Sequence, residues 1–501
     1  MWIKYFPGVV VFWVSLAVAQ PVPEPTADAE NPPSPMQVLD HPEVQGAWAA
    51  VDAWIDGVRD YEEVPGISVG LVVDQDLVLS KGYGYSNLRK QLPADADTIY
   101  SICSISKLFT AVGVMQQRDA GKLSLRDPVQ DHLPWLPLKA AHGEFGPARL
   151  MGLLTHSSGL PREVDLSYWV DKGHPFPDRD TMLERLQTQE TLYPADERFQ
   201  YSNLGLTLAG EVITEVTGQP YNEYVREHII DPLGLTDTRP EFPKKLHGKQ
   251  MAIGYTGFGR DRKRNKIPPF DAKALSPAFG FTSTVNDLAR FASWQFRALE
   301  GQDESVLARN TLREMQRVHW VDPDGKISWG IGFSLTHIDG VRMVGHGGGC
   351  PGYITSFQMA PSKKVAAIAL TNAGDGPAFQ IAQTMMQTLG PAFTTALQSN
   401  EADVSDNNKT ESEIDLDDYV GNYGGSVWGG ETAVRIWGDQ LVLLSLPADN
   451  LKEMAKLKHH EADVFVRQTD EGEPRESWRF VRDEAGQVVA VTAHSQTYQR
   501  L

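Results

Sequence analysis

Apolar and polar residues follow two different periods along this chain, one typical of strands and one typical of helices. Residues 67–73 and 77–80 form two apolar runs around a polar turn, which predicts two strands. Residues 353–359 and 365–370 repeat this arrangement and predict a hairpin. Strands at both ends of one region predict a single sheet built from its N- and C-terminal parts, with a helical insertion between them.

Helical spacing of apolar residues is clearest in four segments. It covers residues 39–59, 204–217 and 284–299, and a fourth helical stretch opens at Ser104 and continues to Gly121. The interpretation is an α/β fold in which an antiparallel sheet packs against helices.

The C-terminal part has a different composition. Residues 401–418 hold eight acidic residues and one base, which predicts an acidic linker, placed at 399–415. After this linker, short apolar runs alternate with turns, and their spacing predicts a small antiparallel β domain over residues 416–501, built as a barrel or a sandwich. The apolar runs lie at 434–437, 441–444, 464–466, 478–481 and 488–491.

The N-terminus carries the features of a cleavable export signal. Lys4 precedes an apolar run over residues 9–18, and Ala17-Val18-Ala19 fits the rule of small residues at a cleavage site. The expectation is a signal peptide at 1–19, a proline-rich linker at 20–38, and an exported protein that is periplasmic or secreted. The alternative is a segment that is retained as an N-terminal membrane anchor.

The overall charge excludes some partners. The 501 residues carry a formal net charge of -19, which argues against nucleic acid and anionic membrane surfaces. The one basic run, residues 260–266, is interpreted as a solvated loop, with contact to a substrate or partner as the alternative.

Ser104 and Lys107 form a candidate nucleophile and its base. Residues three apart are neighbours on a helix, so the Lys107 amine can lie beside the Ser104 hydroxyl. A serine needs such a base at neutral pH, and burial lowers the pKa of a lysine toward that role. Taken alone, the pair also fits a capping serine followed by a surface lysine.

Two further segments supply candidates for proton transfer and binding. Tyr201 is a candidate proton carrier to the leaving group, and Asn203 is a candidate to hold the lysine or the substrate. The segment His346-Gly347-Gly348-Gly349 lies in a predicted edge strand whose glycines let a ligand approach closely. The backbone N–H groups of Ser104 and Gly349 are the candidate oxyanion hole.

In this combination the chain resembles the serine β-lactamase-like hydrolases, which include class C β-lactamases, penicillin-binding carboxypeptidases, D-aminopeptidases and esterases. The resemblance covers roughly residues 39–395 and includes Tyr-x-Asn at 201–203. It implies a β-lactamase-type α/β sandwich, placed at residues 39–398. The tail resembles the lipocalin-like domains that are appended to some of these hydrolases.

The third motif departs from the β-lactamase pattern. His346 stands where β-lactamases carry a lysine, and a histidine is mostly neutral at about pH 7. A neutral side chain provides no permanent cation for the carboxylate of a penicillin. Peptides and amides are therefore the first expectation for the substrate, with Asn203, His346 and Gly348 as substrate-binding residues.

The two cysteines flank the candidate site. Cys103 precedes the nucleophile, and Cys350 follows the candidate oxyanion residue Gly349. An oxyanion hole brings Ser104 and Gly349 together, so a disulfide between their neighbours is one expectation. A similar bridge occurs at these positions in some carbapenem-hydrolysing relatives. Two small buried thiols are the alternative.

The combined expectation is an exported serine hydrolase that works through an acyl-enzyme on Ser104. No metal cluster or phosphate loop stands out in the sequence, so no cofactor is expected. The expected partner is a small-molecule or peptide substrate, and membrane contact is expected only if the N-terminal segment is retained. The alternatives are a short-chain carboxylesterase, a β-lactamase, and a non-catalytic penicillin-binding sensor or scaffold.

Overall fold

The fold is taken from a computed structural model. It describes residues 33–139, 146–171, 173–321, 324–326, 328–399, 414–425, 429–452, 454–469 and 473–501. The expected signal peptide and most of the expected acidic linker lie outside these residues. Within the described ranges, no helix is both long enough and apolar enough to cross a bilayer.

The first domain is built from short and long strands with helices between them. The strands are β1 (Gly66–Val73), β2 (Asp76–Asn87), β3 (Leu92–Pro93), β4 (Tyr100–Ser101), β5 (Thr282–Ser283), β6 (Trp320–Val321), β7 (Ser328–Trp329), β8 (Ser334–Ile338), β9 (Val341–Cys350), β10 (Tyr353–Ala360) and β11 (Val365–Thr371). The α-helices are α1 (Pro42–Tyr61), α2 (Ser106–Asp119), α3 (Val129–His132), α4 (Leu150–Thr155), α5 (Arg179–Leu186), α6 (Asn203–Thr217), α7 (Tyr221–Val225), α8 (Ser276–Phe279), α9 (Val285–Glu300), α10 (Arg309–Met315) and α11 (Ala378–Gln398). Short 3-10 helices lie at Pro35–Val38, Leu88–Lys90, Cys103–Ile105, Lys273–Leu275 and Leu416–Tyr419, and a π-helical turn lies at Arg226–Ile230.

Nine of these strands form the central sheet, in the order β3-β2-β1-β11-β10-β9-β8-β7-β6. The neighbouring pairs are antiparallel, and β1 lies between β2 and β11. This order confirms the prediction of one sheet built from both ends of the domain. Every residue of β1 is buried because both faces of the sheet are covered, which explains its continuous apolar run.

Helices cover the sheet on two sides, which confirms the predicted β-lactamase-type sandwich. One face packs against α2, α6 and α9 in a core that contains Phe109, Leu206 and Phe291. The opposite face packs against α1 and α11 in a second core that contains Trp54 and Phe393. The candidate nucleophile therefore lies on the α2 side of the sheet.

The glycine-rich strand β9 is an edge strand over only half of its length. β8 pairs with residues 341–345 of β9, and this pairing stops at Gly345. The expectation of a simple edge strand is thus wrong for the first half, because β8, β7 and β6 extend the sheet beyond it. Residues 346–350 pair with β10 alone and leave an open edge beside the nucleophile turn.

The C-terminal domain is a closed barrel, which confirms the prediction of a small all-β unit. Its strands are β12 (Gly421–Gly424), β13 (Glu431–Trp437), β14 (Gln440–Leu446), β15 (Ala455–Glu461), β16 (Val464–Gln468), β17 (Pro474–Arg482), β18 (Val488–Ala493) and β19 (Gln496–Arg500). The barrel packs on α1, where Trp437 Nε1 donates to the Glu43 carboxylate at 2.7 Å and Trp54 Nε1 donates to the Ala448 carbonyl at 2.8 Å. The barrel therefore lies on the side of the sheet that α1 covers, opposite α2.

Two segments are more ordered than the sequence suggests. Residues 35–38 of the expected linker form a 3-10 turn that buries Val38 against the α1 and α11 core. In the basic run, the Arg264 side chain is only 7% exposed, and its guanidinium donates to the backbone carbonyls of Glu62 and Glu63. The run is thus partly a structural clamp and not simply a solvated loop.

Candidate active site

Ser104 lies in a tight turn that leads into α2. The turn Cys103–Ile105 is a 3-10 helix, and Cys103 has a φ of +49° in the left-handed region. The Ser106 hydroxyl donates to the Cys103 carbonyl at 2.5 Å and accepts from the Phe281 N–H at 3.0 Å. These bonds hold the turn in place, so the Ser104 hydroxyl stands at the N-terminal start of α2 and faces a cleft.

Lys107 is fully buried and touches three oxygen atoms. Its Nζ lies 3.0 Å from Ser104 Oγ, 2.8 Å from Asn203 Oδ1 and 2.7 Å from the carbonyl oxygen of Ala278. Burial holds the pKa of Lys107 well below its usual value, since desolvation disfavours the ammonium ion. The lysine is thus placed and tuned to accept a proton from Ser104.

Tyr201 contacts the serine and lies close to the lysine. Its side chain is hydrogen-bonded to Ser104, and Lys107 Nζ lies 4.9 Å from the centre of its ring. Burial raises the pKa of Tyr201, so its hydroxyl keeps its proton near neutral pH. A protonated hydroxyl at this position can pass a proton to a leaving group.

A buried histidine packs against the ring of Tyr201. His156 ends α4 with a left-handed backbone, and its Nδ1 accepts the Ser202 N–H at 3.1 Å. Its ring lies 4.3 Å from the Tyr201 ring, centre to centre. Burial keeps the pKa of His156 well below its usual value, so the ring is a neutral acceptor. No role for this residue was predicted from the sequence.

His346 lies on β9 and is a neutral side chain. Its Nδ1 is 2.5 Å from the carbonyl oxygen of Gly347, which can only accept, so Nδ1 carries the proton. Burial lowers the pKa of His346 to about 3, with the charge of Lys107 as a second cause. Its buried Nε2 has no hydrogen-bond partner among the described residues and is left as an acceptor.

The glycines of β9 let the strand run directly past the nucleophile turn. A methyl group on Gly348 would overlap the carbonyl oxygen of Ile102 and the hydroxyl of Thr355. Gly349 is exposed, and both glycines line the same cleft of about 620 Å³ as Ser104. The structure therefore brings the residues of the two candidate oxyanion donors, Ser104 and Gly349, to the same cleft.

A disulfide joins Cys103 to Cys350, with 5.7 Å between their Cα atoms. It ties the residue before the nucleophile to the last residue of β9. Of the two expectations for the cysteines, the structure holds the bridge and not the pair of thiols.

Two groups that touch the site had no signal in the sequence. Glu163 accepts from Asn203 Nδ2 at 2.6 Å, and the carbonyl of Ala278 accepts from Lys107. Arg162 also lines the cleft, with its guanidinium 5.0 Å from the centre of the Tyr201 ring. In the parts of the chain that the structure describes, no group of three or more His, Cys, Asp or Glu side chains is arranged to hold a metal ion.

A single antiparallel sheet with helices on both faces, and a Ser-x-x-Lys turn that leads into the buried helix α2, is the architecture of the β-lactamase-fold serine hydrolases. Residues 51–388 match the model of the Beta-lactamase family, and the chain belongs to that family.

Individual relatives agree with this assignment. The chain is 29% identical over 246 residues to Protein flp of Staphylococcus aureus strain MW2, which covers 49% of this chain and 48% of that protein. It thus spans about half the length of that relative. It is 27% identical over 337 residues to penicillin-binding protein 4 of Amycolatopsis lactamdurans, which covers 65% of this chain and 85% of that protein.

A solved structure extends the likeness beyond the hydrolase domain. The octameric penicillin-binding protein homologue from Pyrococcus abyssi superimposes with a TM-score of 0.60 at 26% identity. The match covers 90% of this chain and 99% of that one.

Proposed function

We propose that this protein hydrolyses peptide or amide bonds by transferring an acyl group first to Ser104 and then to water. The contact that carries the proposal is the 3.0 Å separation between Ser104 Oγ and the buried amine of Lys107. A lysine whose pKa is held low by burial can accept the serine proton near neutral pH.

The residues divide the chemistry between them. Lys107 takes the proton as Ser104 Oγ attacks the carbonyl carbon, and the N–H groups of Ser104 and Gly349 donate to the oxygen that becomes negative. The C–N bond breaks as Tyr201 gives its proton to the leaving nitrogen and receives the proton held by Lys107. A water molecule then attacks the ester by the same route, which releases the acid and restores Ser104.

His346 favours a substrate that offers an N–H group. Its Nδ1 proton is committed to Gly347, and its buried Nε2 is an acceptor without a hydrogen-bond partner among the described residues, on a side chain that lines the cleft. A neutral acceptor pairs with an amide N–H and repels a carboxylate, whereas a lysine at this position would do the reverse. This contrast supports peptides and amides over penicillins.

We also propose that the protein is exported from the cytoplasm. The signal-peptide pattern at 1–19 supports it, and a disulfide in the catalytic domain is typical of oxidising compartments. Intact mass of the protein purified from a cell envelope or medium tests it. A mature chain that begins at Gln20 is the expected result, and a full-length chain held in the membrane fraction would favour the anchor.

The chemistry is tested by intact mass after exposure to a penicillin, with Ser104→Ala as the control, followed by turnover of amides and esters that share one acyl group. We expect hydrolysis of an amide by the wild type and none by the variant. Penicillin consumed with no lasting adduct would show a β-lactamase. An adduct that never turns over, with no hydrolysis of any amide or ester, would show a sensor.

A further inference from the structure

Asn203 is held between a donor and an acceptor that together fix its orientation. Its Oδ1 accepts from Lys107 Nζ at 2.8 Å, and its Nδ2 donates to Glu163 Oε1 at 2.6 Å. A carboxylate can only accept, so the amide nitrogen must face Glu163 and the amide oxygen must face the lysine. The oxygen and nitrogen ends of an amide side chain have nearly the same shape, so these hydrogen bonds determine which way it points.

Glu163 is itself held in place. Its second oxygen accepts from the Tyr168 hydroxyl at 2.6 Å, and Tyr168 is buried. The Glu163 side chain is 18% exposed, and Arg162 Nε lies 3.4 Å from Oε1. Arg162 is 61% exposed, so most of its charge is screened by water, and the carboxylate remains the fixed partner of Asn203.

The orientation of Asn203 decides where the lone pair of Lys107 points. A neutral amine has two N–H bonds and one lone pair. The carbonyl of Ala278 and the Oδ1 of Asn203 are both acceptors, so they take the two N–H bonds. The third neighbour is Ser104 Oγ, at 3.0 Å, and the lone pair is left for its proton. A reversed Asn203 amide would present N–H to the amine and compete for that lone pair.

We propose that Glu163 is a positioning residue that orients the Asn203 amide and thereby directs the lone pair of Lys107 at the Ser104 hydroxyl. This inference rests on the proposed function, because it assigns a task to Glu163 within the same acylation step.

The test uses a fluorophosphonate, which reports on the serine without knowledge of the natural substrate. Ser104 Oγ forms a bond to phosphorus, the P–F bond breaks, fluoride leaves, and Lys107 keeps the proton. The second-order labelling rate is measured across pH by intact mass, with Ser104→Ala as the blank. Thermal unfolding of each variant reports whether it folds.

For Glu163→Gln we expect labelling to be slower by about 10- to 100-fold at its best pH, because the base is misdirected but still present, and its complete loss would cost about 100-fold or more. The acid limb of the pH profile should also move to lower pH, because the charge of Glu163 raises the pKa of Lys107. The other titratable groups around the lysine, Arg162, Tyr201, His156 and His346, are unchanged in this variant. A purely structural effect would lower the amount of active protein and leave the limb in place.

A reciprocal swap gives the sharper result. In the double variant Glu163→Gln/Asn203→Asp, the introduced carboxylate accepts from Lys107 and from the introduced amide. Both hydrogen bonds of position 203 are therefore restored, each with a donor and an acceptor. We expect it to label at least about tenfold faster than Asn203→Asp alone, in which two carboxylates face each other. This comparison also carries the test if the single glutamine variant does not fold. Tyr168→Phe, which leaves the Asn203 contact intact, should lose less than Glu163→Gln.

The outcomes separate the two proposals. Wild type that is not labelled at Ser104 overturns the proposed function and this inference with it. Wild type that is labelled, together with a Glu163→Gln variant of the same rate and the same acid limb, overturns the inference alone. A double variant no faster than Asn203→Asp also overturns it.

Discussion

The Lys107 amine and the Ser104 hydroxyl are in direct contact at 3.0 Å, one turn apart where the 3-10 turn at Cys103–Ile105 leads into the buried start of α2. The amine replaces all of its hydration with Ser104, Asn203 and the carbonyl of Ala278. The proposed base is therefore also a structural centre, since its buried amine depends on three oxygen neighbours for its hydrogen bonds.

Replacement of this amine should abolish catalysis without unfolding the domain. Lys107→Met keeps the length of the side chain but removes the base, so we expect kcat for an amide to fall by at least about 100-fold. It also leaves the acceptors on Asn203 and Ala278 unpaired, which should lower the free energy of unfolding by roughly 1–3 kcal/mol. Steady-state kinetics and urea unfolding measure the two effects. An active methionine variant would assign the base to another residue.

Tyr201→Phe should separate amides from activated esters. If Tyr201 gives its proton to the leaving group, its loss should slow a poor leaving group such as an amine by about 100-fold or more. The nitrophenolate of an activated ester leaves without needing a proton, so acylation of Ser104 by such an ester should slow far less. The ratio of kcat/KM for an amide and an ester with the same acyl group measures this difference. Equal losses for both substrates would limit Tyr201 to activating Ser104.

Gly348 should tolerate no side chain. In Gly348→Ala the new methyl group would push β9 away from the Ile102 carbonyl, which displaces the oxyanion wall from Ser104. Since small misplacements of reacting groups are costly, we expect kcat to fall by about 100-fold.

Gly347→Ala is the matched control on the same strand. There the atoms nearest to the methyl group all belong to the ring of Phe379, which is half-exposed and can turn away, so the loss of activity should be smaller. Equal losses in the two variants would show that the strand does not depend on the contact at Ile102.

The disulfide should contribute strongly to stability. It closes a loop between residues 247 apart, and such a loop corresponds to about 5 kcal/mol on the chain-entropy model. Cys103→Ala/Cys350→Ala should therefore unfold at a much lower urea concentration than the wild type. Reductant should destabilise the wild type in the same way and leave the variant unaffected. A wild type that is insensitive to reductant and shows two free thiols when denatured would contradict the bridge.

The neutral state of His346 predicts a loss of stability in acid. Its pKa is about 3 in the folded protein and 6.5 in an unfolded chain, so between these values only the unfolded state binds the proton. Stability is unaffected above the unfolded value, falls as the pH decreases toward the folded value, and changes no further below it. His156 adds a decrease of the same sign.

His346→Asn isolates the contribution of this one ring. Between about pH 7 and pH 5 the variant should lose roughly 2 kcal/mol less stability than the wild type. Urea unfolding at both pH values gives the comparison. Parallel curves would mean that His346 titrates near its usual value in the folded protein.

The sequence predicted the parts of the site whose spacing is local. Ser104 and Lys107 are neighbours because they lie three apart on a helix, and Tyr201 and Asn203 flank the start of α6. Glu163 could not be found in this way, because its contact with Asn203 spans 40 residues. The contact between Lys107 and the Ala278 carbonyl could not be predicted either, because every residue has a backbone carbonyl.

The barrel shows the same limit. The five predicted apolar runs all lie in strands, but three strands were missed. These are β12, β15 and β19, which consist mostly of polar residues or glycine, as in Lys456 to Glu461. These strands are set by their antiparallel neighbours and by closure of the barrel, which no local pattern records.

The pairing of β1 with β11 also determines when the candidate site can assemble during synthesis of the chain. A growing chain that has been translated through Tyr201 already contains the serine, the lysine and the tyrosine, yet the strand that carries His346 and Gly349 has not been made. The sheet closes only after residues 365–371 have left the ribosome and reached β1. A chain that ends before residue 365 therefore lacks the strand that links β1 to β10 and β9, and it cannot place His346 and Gly349 beside Ser104 as in the finished sheet.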